Sequence, residues 1–258
     1  MRSEIDMLAY SLETEKDLLP FLPELLQDIW ALGSDVECLV GAVSSLDLPR
    51  PFRVIDLGCG KGAVSIALAK ALRAHVLGID LFGPFVEECR RHAAQNDVER
   101  LCEFRQGNIA ELAGTFEPAD VAIFAALGDT LGSRSETMEI VRRYVRPGGF
   151  IIISDGYLRR ADAPAFPGFE TAATRDVCLE GWQARGDSLV SEFVGREDGG
   201  DGDKGADEAR LIAMRAEALA LAQPDLAEKI LGFAQSQAEE YDFLTKEFVD
   251  ATWVFRRS

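Results

Sequence analysis

A glycine-rich turn between two carboxylates is the part of this sequence whose residue types and spacing could do chemistry. Asp56 ends a β-branched run, and Gly58, Gly60 and Gly62 follow at alternate positions. Asp80 ends a second apolar run about one strand–helix–strand unit later. Glycines let a backbone turn approach a ligand closely, and a carboxylate at the end of the second strand can accept hydrogen bonds from the two hydroxyl groups of a ribose. The pattern therefore predicts a site for an adenosyl group.

Two classes of cofactor fit this pattern. Residues 58–63 also match the glycine spacing of a dinucleotide-binding turn, so the glycines alone leave a nicotinamide dinucleotide possible. Asp56 favours the other class, because a carboxylate beside the turn would repel a pyrophosphate and attract a ligand that carries an ammonium and a sulfonium group. The two carboxylates together thus favour a positively charged adenosyl ligand.

Residues 56–62 resemble the first motif of the class I S-adenosylmethionine-dependent methyltransferases. Four later features of that family follow in order: the ribose-binding acid Asp80, the adenine-binding segment 107–109, the fourth strand at 120–124 and the fifth strand at 146–154. The resemblance therefore covers residues 52–157. Many relatives have Asp where this chain has Asn108, whose amide oxygen can accept the same hydrogen bond from the adenine amino group.

The resemblance implies an enzyme that binds S-adenosylmethionine. This cofactor carries its own activated methyl group, so the protein mainly has to align an acceptor in line with the sulfonium and exclude water. The cofactor-binding residues that we expect are Asp56, Gly58, Cys59, Gly60, Gly62, Asp80, Leu81, Asn108, Ile109 and Ala125.

A parallel sheet has to position these residues. Short apolar or β-branched runs predict strands at 54–55, 76–79, 102–105, 121–124, 150–154, 188–194 and 251–256. Helical patterns at 63–72 and 84–95 supply crossover connections. The resemblance implies an α/β fold of the Rossmann-like type, a seven-stranded, mostly parallel sheet flanked by helices, with its last strand antiparallel.

Two helical additions to this sheet are predicted. Residues 1–50 should form an N-terminal helical cap, and residues 51–258 the methyltransferase domain. Within that domain, residues 197–247 should form an insertion, in which an acidic, glycine-rich linker at 197–205 leads to two helices, at 207–222 and 224–246. Two helices inserted before the last strand can form a lid.

The loop after the fourth strand should face both cofactor and acceptor, because ligands of open α/β sheets bind at the carboxyl ends of the strands. Asp129 in this loop and Tyr157 after the fifth strand are the candidate catalytic residues, since a hydroxyl acceptor would need a base. The alternative for Asp129 is a helix cap before Leu131. Tyr10 and Tyr241 are candidate substrate contacts, and simple packing is the alternative for the helix that carries Tyr10.

Composition limits the possible partners. The chain of 258 residues has a formal net charge of −17 and no run of clustered Lys and Arg, which argues against a nucleic-acid partner and favours a small-molecule acceptor. It has neither a long apolar run nor a basic start followed by an apolar segment, so we expect a cytoplasmic protein without a membrane span. Five scattered cysteines predict reduced thiols and no structural metal. The sequence leaves open the oligomeric state and two alternative functions, a non-catalytic S-adenosylmethionine-binding protein and an NAD-dependent oxidoreductase.

Overall fold

The computed structural model describes residues 3–195 and 202–258. It contains a seven-stranded sheet with the strand order β3-β2-β1-β4-β5-β7-β6. The strands are β1 (Arg53–Leu57), β2 (His75–Asp80), β3 (Cys102–Gln106), β4 (Ala119–Ala125), β5 (Val145–Leu158), β6 (Ser188–Val194) and β7 (Phe248–Arg256). Strands β1 to β5 pair in parallel, whereas β7 pairs antiparallel with β6. The predicted mostly parallel, seven-stranded fold is confirmed.

Ten α-helices occur in the described residues. They are α1 (Glu4–Ser11), α2 (Leu22–Leu25), α3 (Val36–Ser44), α4 (Ala63–Leu72), α5 (Gly83–Gln95), α6 (Ile109–Leu112), α7 (Arg134–Val141), α8 (Arg175–Gln183), α9 (Gly202–Ala222) and α10 (Ala227–Glu247). Three short 3₁₀ helices accompany them, at Lys16–Phe21, Arg142–Tyr144 and Pro224–Leu226. None of the helices in residues 3–195 and 202–258 is both long enough and apolar enough to cross a membrane.

The chain divides into two compact units. The sheet unit comprises Ala31–Gly156, Arg175–Val194 and Asp250–Ser258, and the helical unit comprises Met1–Trp30, Tyr157–Thr174 and Gly195–Val249, apart from the residues left undescribed. This division differs from the predicted cap at residues 1–50. Helix α3 packs on α4, and its residues Leu39 and Val43 lie in the core of the sheet unit. Residues 31–50 therefore belong with the sheet.

The central strands of the sheet unit are buried on both faces. Every residue of β1 after Arg53 is buried, and so are Val121 to Ala125 of β4. Helix α4 is built from Ala, Val, Ile and Leu and packs into the same core. A parallel strand that is covered on both faces needs apolar side chains on both, so its sequence is a continuous apolar run. These strands were predictable for that reason.

The register of the parallel strands brings their carboxyl ends to one edge. Leu57 pairs with Ile79 on one side and with Phe124 on the other, and Ala125 pairs with Ser154. The residues that follow these strands therefore start from the same edge of the sheet. This edge includes the glycine turn after β1.

The helical unit is built around aromatic and ionic contacts. The rings of Phe166 and Phe243 stack with their centroids 4.6 Å apart, and Phe169 lies 5.5 Å from Phe243. Arg215 of α9 donates two hydrogen bonds to Asp28, at 2.6 and 3.0 Å. These contacts join stretches that are far apart in the sequence.

The two helices predicted for the insertion are present, but α9 begins earlier than expected. Of the predicted linker at 197–205, residues 197–201 lie outside the described residues, and residues 202–205 belong to α9. The prediction of a linker at 202–205 is therefore wrong. Gly205 explains the error. A Cβ atom at this position would lie 2.1 Å from the Tyr241 ring, so glycine allows close packing of α9 and α10 rather than a flexible loop.

Candidate functional site

The glycine turn has a backbone that only glycine adopts without strain. Gly58, Gly60 and Gly62 have φ angles of +71°, +50° and +82°. The Gly58 and Cys59 N–H groups both donate to the carbonyl oxygen of Ile79, at 2.7 and 3.0 Å, so the turn folds back over the end of β2. A Cβ atom on Gly58 would lie 2.4 Å from a methyl carbon of Leu127. Both the positive φ angle and the lack of room for a Cβ atom therefore require glycine at position 58.

Asp80 lies against this turn, as its position in the sequence predicts. Its Oδ2 atom accepts a hydrogen bond from the Gly60 N–H at 2.8 Å, and its Oδ1 atom accepts one from the Phe82 N–H at 2.8 Å. Burial raises the pKa of Asp80 to about 6, although these N–H groups act in the opposite direction. The carboxylate thus connects the end of β2 to the glycine turn.

Asp56 has a structural partner that the sequence did not reveal. Its Oδ2 atom accepts a hydrogen bond of 2.6 Å from the hydroxyl group of Ser65, the third residue of α4, and the Ser65 backbone N–H also donates to it. The carboxylate therefore caps the N-terminus of α4 from the end of β1. Burial raises the pKa of Asp56 to about 6, the Ser65 hydrogen bond opposes this, and the charge of Asp80 adds to it. The two acids lie close enough to influence each other's ionisation.

The segment predicted to contact adenine begins a short helix. Asn108 is the N-cap of α6, and its Oδ1 atom accepts a hydrogen bond from the Ala110 N–H at 2.9 Å. The Tyr144 hydroxyl donates to the Ile109 carbonyl at 2.6 Å. The amide oxygen expected to face adenine thus already caps a helix, although an amide oxygen has a second lone pair.

Asp129 lies in the loop after β4, but it is not a helix cap. Helix α7 begins at Arg134, and Ser133 caps it with a hydroxyl group that accepts from the Glu136 N–H. The alternative assignment of Asp129 as a cap before Leu131 is therefore wrong. The Asp129 carbonyl accepts a hydrogen bond from the Gly132 N–H at 2.9 Å, which closes a turn in this loop.

Asp155 is a candidate site residue that sequence reasoning missed. It lies one residue beyond Ser154, which pairs with Ala125 at the carboxyl edge of the sheet. Burial raises the pKa of Asp155, the Gly156 N–H and the charge of Arg134 oppose this, and the charges of Asp129 and Asp250 add to it. An acid at the carboxyl end of an apolar run is the signal that identified Asp56 and Asp80, and Asp155, which directly follows the predicted strand at 150–154, has the same signal.

The three candidate tyrosines belong to the helical unit. Tyr10 lines an open cavity of about 640 Å³ together with Thr14 and several charged residues of the first 17. The ring of Tyr241 packs against Gly205. Tyr157 is the residue at which the chain passes from the sheet unit into the helical unit. Their roles in substrate binding and catalysis stay predictions.

The cysteines of the described chain are free thiols, and Cys59 and Cys89 are buried. Within residues 3–195 and 202–258, no group of three or more His, Cys, Asp or Glu side chains could hold a metal ion.

Comparisons with known proteins agree with this geometry. A family model described as "Methyltransferase domain" matches residues 50–192. The arsenite methyltransferase of Halobacterium salinarum is 29% identical over 139 residues, which make up 48% of this chain and 35% of that protein. The ribosomal protein L11 methyltransferase of Rhodopseudomonas palustris is 29% identical over 152 residues, 56% of this chain and 50% of that protein. This chain thus spans between about a third and a half of the length of these curated relatives.

A solved structure shows the same fold. It is a methyltransferase from Geobacter sulfurreducens described as dependent on S-adenosylmethionine, in complex with S-adenosyl-L-homocysteine. The match has a TM-score of 0.73 at 20% identity and covers 93% of this chain and 98% of that chain. Because the family model spans more than half of the sequence, this chain belongs to the methyltransferase domain family.

Proposed function

We propose that this chain is an S-adenosylmethionine-dependent methyltransferase that acts on a small-molecule acceptor. The observation that carries the proposal is the Asp80 carboxylate, held by the Gly60 N–H beside three glycines with positive φ angles in a chain of the methyltransferase family. A carboxylate in this position is an acceptor for vicinal ribose hydroxyl groups.

The residues present fit an adenosyl cofactor that carries positive charge. Asp80 would accept from the ribose, Asn108 and Ile109 would lie along the adenine, and the turn from Gly58 to Gly62 would face the amino-acid part. Asp56 and Asp80 make this neighbourhood negative, which suits a sulfonium and an ammonium group better than a diphosphate. When bound, the cofactor supplies an activated methyl group.

The remaining tasks belong to the chain itself. It has to orient the acceptor, exclude water and, for a hydroxyl acceptor, take up a proton. Asp129 and Tyr157 are the candidate bases from the sequence, and Asp155 joins them because burial raises the pKa of its carboxyl group. A sulfur or tertiary nitrogen acceptor would need no base.

The proposal of a small-molecule acceptor rests on charge. The net charge of −17 and the scattered basic residues disfavour a nucleic-acid acceptor. The relatives are named for arsenite and for a ribosomal protein, so an acceptor screen has to include arsenicals among the small molecules and a protein acceptor as the alternative class.

The first test is cofactor binding. Calorimetry of the full chain should give a micromolar or tighter Kd for S-adenosylhomocysteine, and Asp80→Ala should weaken it at least about tenfold, since hydrogen bonds to a charged group are lost. Glu103→Ala is the matched control, because Glu103 is an exposed carboxylate on the neighbouring strand that pairs with Arg105. Absence of binding by the intact protein would refute the proposal.

The second test is methyl transfer. The chain should transfer a labelled methyl group from S-adenosylmethionine to at least one member of a panel of small hydroxyl, amine, thiol and arsenical acceptors. Ribosomal protein L11 and short RNA serve as macromolecular comparisons. Tight cofactor binding without transfer to any acceptor would favour a non-catalytic S-adenosylmethionine-binding protein. Transfer to L11 alone would show that the acceptor is a protein and not a small molecule.

A further inference from the structure

Two thiols meet beneath the glycine turn. Cys59 stands between Gly58 and Gly60, and the Cys89 thiol of α5 raises the pKa of the Cys59 thiol through hydrogen bonding and charge. The Cys89 thiol itself donates to the Gly60 carbonyl, with 3.1 Å between sulfur and oxygen. A Cβ atom on Gly62 would lie 3.1 Å from the same sulfur. The Cys89 sulfur is therefore packed into the inner side of the turn that carries Cys59.

Methyl transfer as proposed above makes no use of either thiol. From the contacts of these two sulfurs with the turn, we propose that Cys59 and Cys89 form a reversible disulfide that switches the cofactor turn off. The effect on the cofactor rests on the proposed function, whereas the bond itself does not.

The resting protein protects the pair. The hydrogen bond to Cys89, burial and the nearby charges of Asp80 and Asp56 all raise the pKa of Cys59 well above its ordinary value. Because the thiolate is the reactive form, oxidation requires the turn to open. Cys59 is 8% exposed and Cys89 is 0% exposed, so Cys59 meets the oxidant first.

Hydrogen peroxide, a small two-electron oxidant, would form the disulfide in two steps. The Cys59 sulfur attacks one peroxide oxygen, the O–O bond breaks, and the products are a Cys59 sulfenic acid and water. The Cys89 sulfur then attacks the Cys59 sulfur, the S–O bond breaks, and the second water leaves with the Cys89 proton. Two thiols and one peroxide thus give one disulfide and two waters.

The bond would change the turn. A disulfide holds the two sulfurs about 2.05 Å apart and leaves Cys89 without a hydrogen, so the hydrogen bond from Cys89 to the Gly60 carbonyl is lost. The same Gly60 residue donates its N–H to Asp80. A shift of Gly60 therefore disturbs the contact between the turn and the ribose-binding carboxylate.

The experiment uses the full chain, first reduced and then treated with hydrogen peroxide. Peptide mapping without reductant should show a Cys59–Cys89 cross-link that dithiothreitol removes. Amide hydrogen exchange in residues 58–62 should increase in the oxidised protein. The affinity for S-adenosylhomocysteine should fall at least about tenfold, comparable to the loss of a charge-assisted hydrogen bond, and S-adenosylhomocysteine present during treatment should slow the oxidation.

Variants make the assignment specific. Cys89→Ser keeps a donor for the Gly60 carbonyl and should abolish the cross-link, whereas Cys178→Ser, which changes a buried thiol of α8, should leave it intact. Cys102→Ser, which changes the third thiol of this region, should also leave the Cys59–Cys89 cross-link intact. A Cys89–Cys102 cross-link, no cross-link at all, or a Cys59–Cys89 cross-link with unchanged exchange in residues 58–62 would each overturn the proposal. Failure of the reduced protein to bind S-adenosylhomocysteine would refute the proposed function, while mapping and exchange still decide the disulfide.

Discussion

Cofactor affinity should depend on pH through the two acids beside the glycine turn. The pKa of Asp80 is raised from its ordinary value of 3.8 to about 6 by burial. A protonated Asp80 cannot offer a charged acceptor to the ribose, so binding has to displace the proton. At pH 5 about nine tenths of the carboxyl groups are protonated, and the apparent Kd for S-adenosylhomocysteine should rise about tenfold between pH 7 and pH 5.

Stability of the cofactor-free chain should change in the opposite direction. The folded-state pKa of Asp56 is about 6 and exceeds the ordinary value of 3.8, so between these values the folded chain binds more protons than the unfolded chain. Protonated Asp56 stabilises the folded chain by at most about 3 kcal/mol. This contribution to the free energy of unfolding is fully present below pH 4 and is lost as pH rises through 6. Binding thus weakens towards pH 5 while this term stabilises the fold.

Acids whose pKa is lowered in the folded chain act outside this window. The hydrogen bond from Arg175 lowers the pKa of Glu192, and the one from Lys229 lowers that of Asp17. Their stabilisation is present above the unfolded pKa and is lost as pH falls through the folded one. Burial also raises the pKa of Asp155 and that of Glu240, the latter to about 9, so the loss of stability as pH rises from 5 to 7 includes their contributions as well as that of Asp56.

The assay is calorimetry with S-adenosylhomocysteine at fixed ionic strength, combined with chemical denaturation at the same pH values. Asp80→Asn should bind weakly at every pH and lose most of the pH dependence of binding. Glu103→Gln, the exposed carboxylate of β3, should retain the wild-type slope. A Kd that is constant from pH 7 to pH 5, or that becomes tighter at pH 5, would refute the reasoning.

Two further substitutions test the turn. Gly58→Ala should destabilise the chain by about 2–4 kcal/mol, because a positive φ angle and a 2.4 Å approach to Leu127 combine. Gly114 has φ +85° and open space around it, so Gly114→Ala should lower the free energy of unfolding only through backbone strain. Leu127→Ala removes the close contact and should partly restore the stability of Gly58→Ala. Chemical denaturation measures both effects. Lys61→Met should destabilise by about 1–3 kcal/mol, because the side chain is 1% exposed and its Nζ lies 3.6 Å from a Glu88 carboxylate oxygen. The exposed Lys70→Met should change stability by less than about 0.5 kcal/mol, and equal effects of the two lysine substitutions in thermal unfolding would contradict this reading.

The parts of the fold that depend on local pattern were predictable. Helix α4 and strand β6 have the bounds that their residue patterns indicate, Ala63–Leu72 and Ser188–Val194. The placement of Asp80 against the turn followed from one strand–helix–strand repeat, because parallel strands end at one edge.

The errors arose where a residue's role depends on a distant neighbour. Gly205 indicated a linker, yet it packs against Tyr241, 36 positions later in the sequence. The role of Asp56 in cofactor binding stays a prediction, whereas its hydrogen bond to Ser65 of α4 became visible only in three dimensions. For Asp155 the local signal was present in the sequence, but its proximity to Asp129 and Asp250, which lie in two other stretches, became visible only in the structure.

The sheet order carries a consequence for the synthesis of the chain. Strand β7 lies between β5 and β6, although it is synthesised after the other six strands of this sheet. Until residues 248–256 are available, β6 has no neighbour in the sheet order through which to join the earlier strands, so one edge of the sheet stays unfinished. The helical unit likewise includes residues up to Val249, so each unit becomes complete only after residue 248 has been synthesised. Removal of residues 248–256 would therefore damage far more of the molecule than the nine amino acids that it deletes.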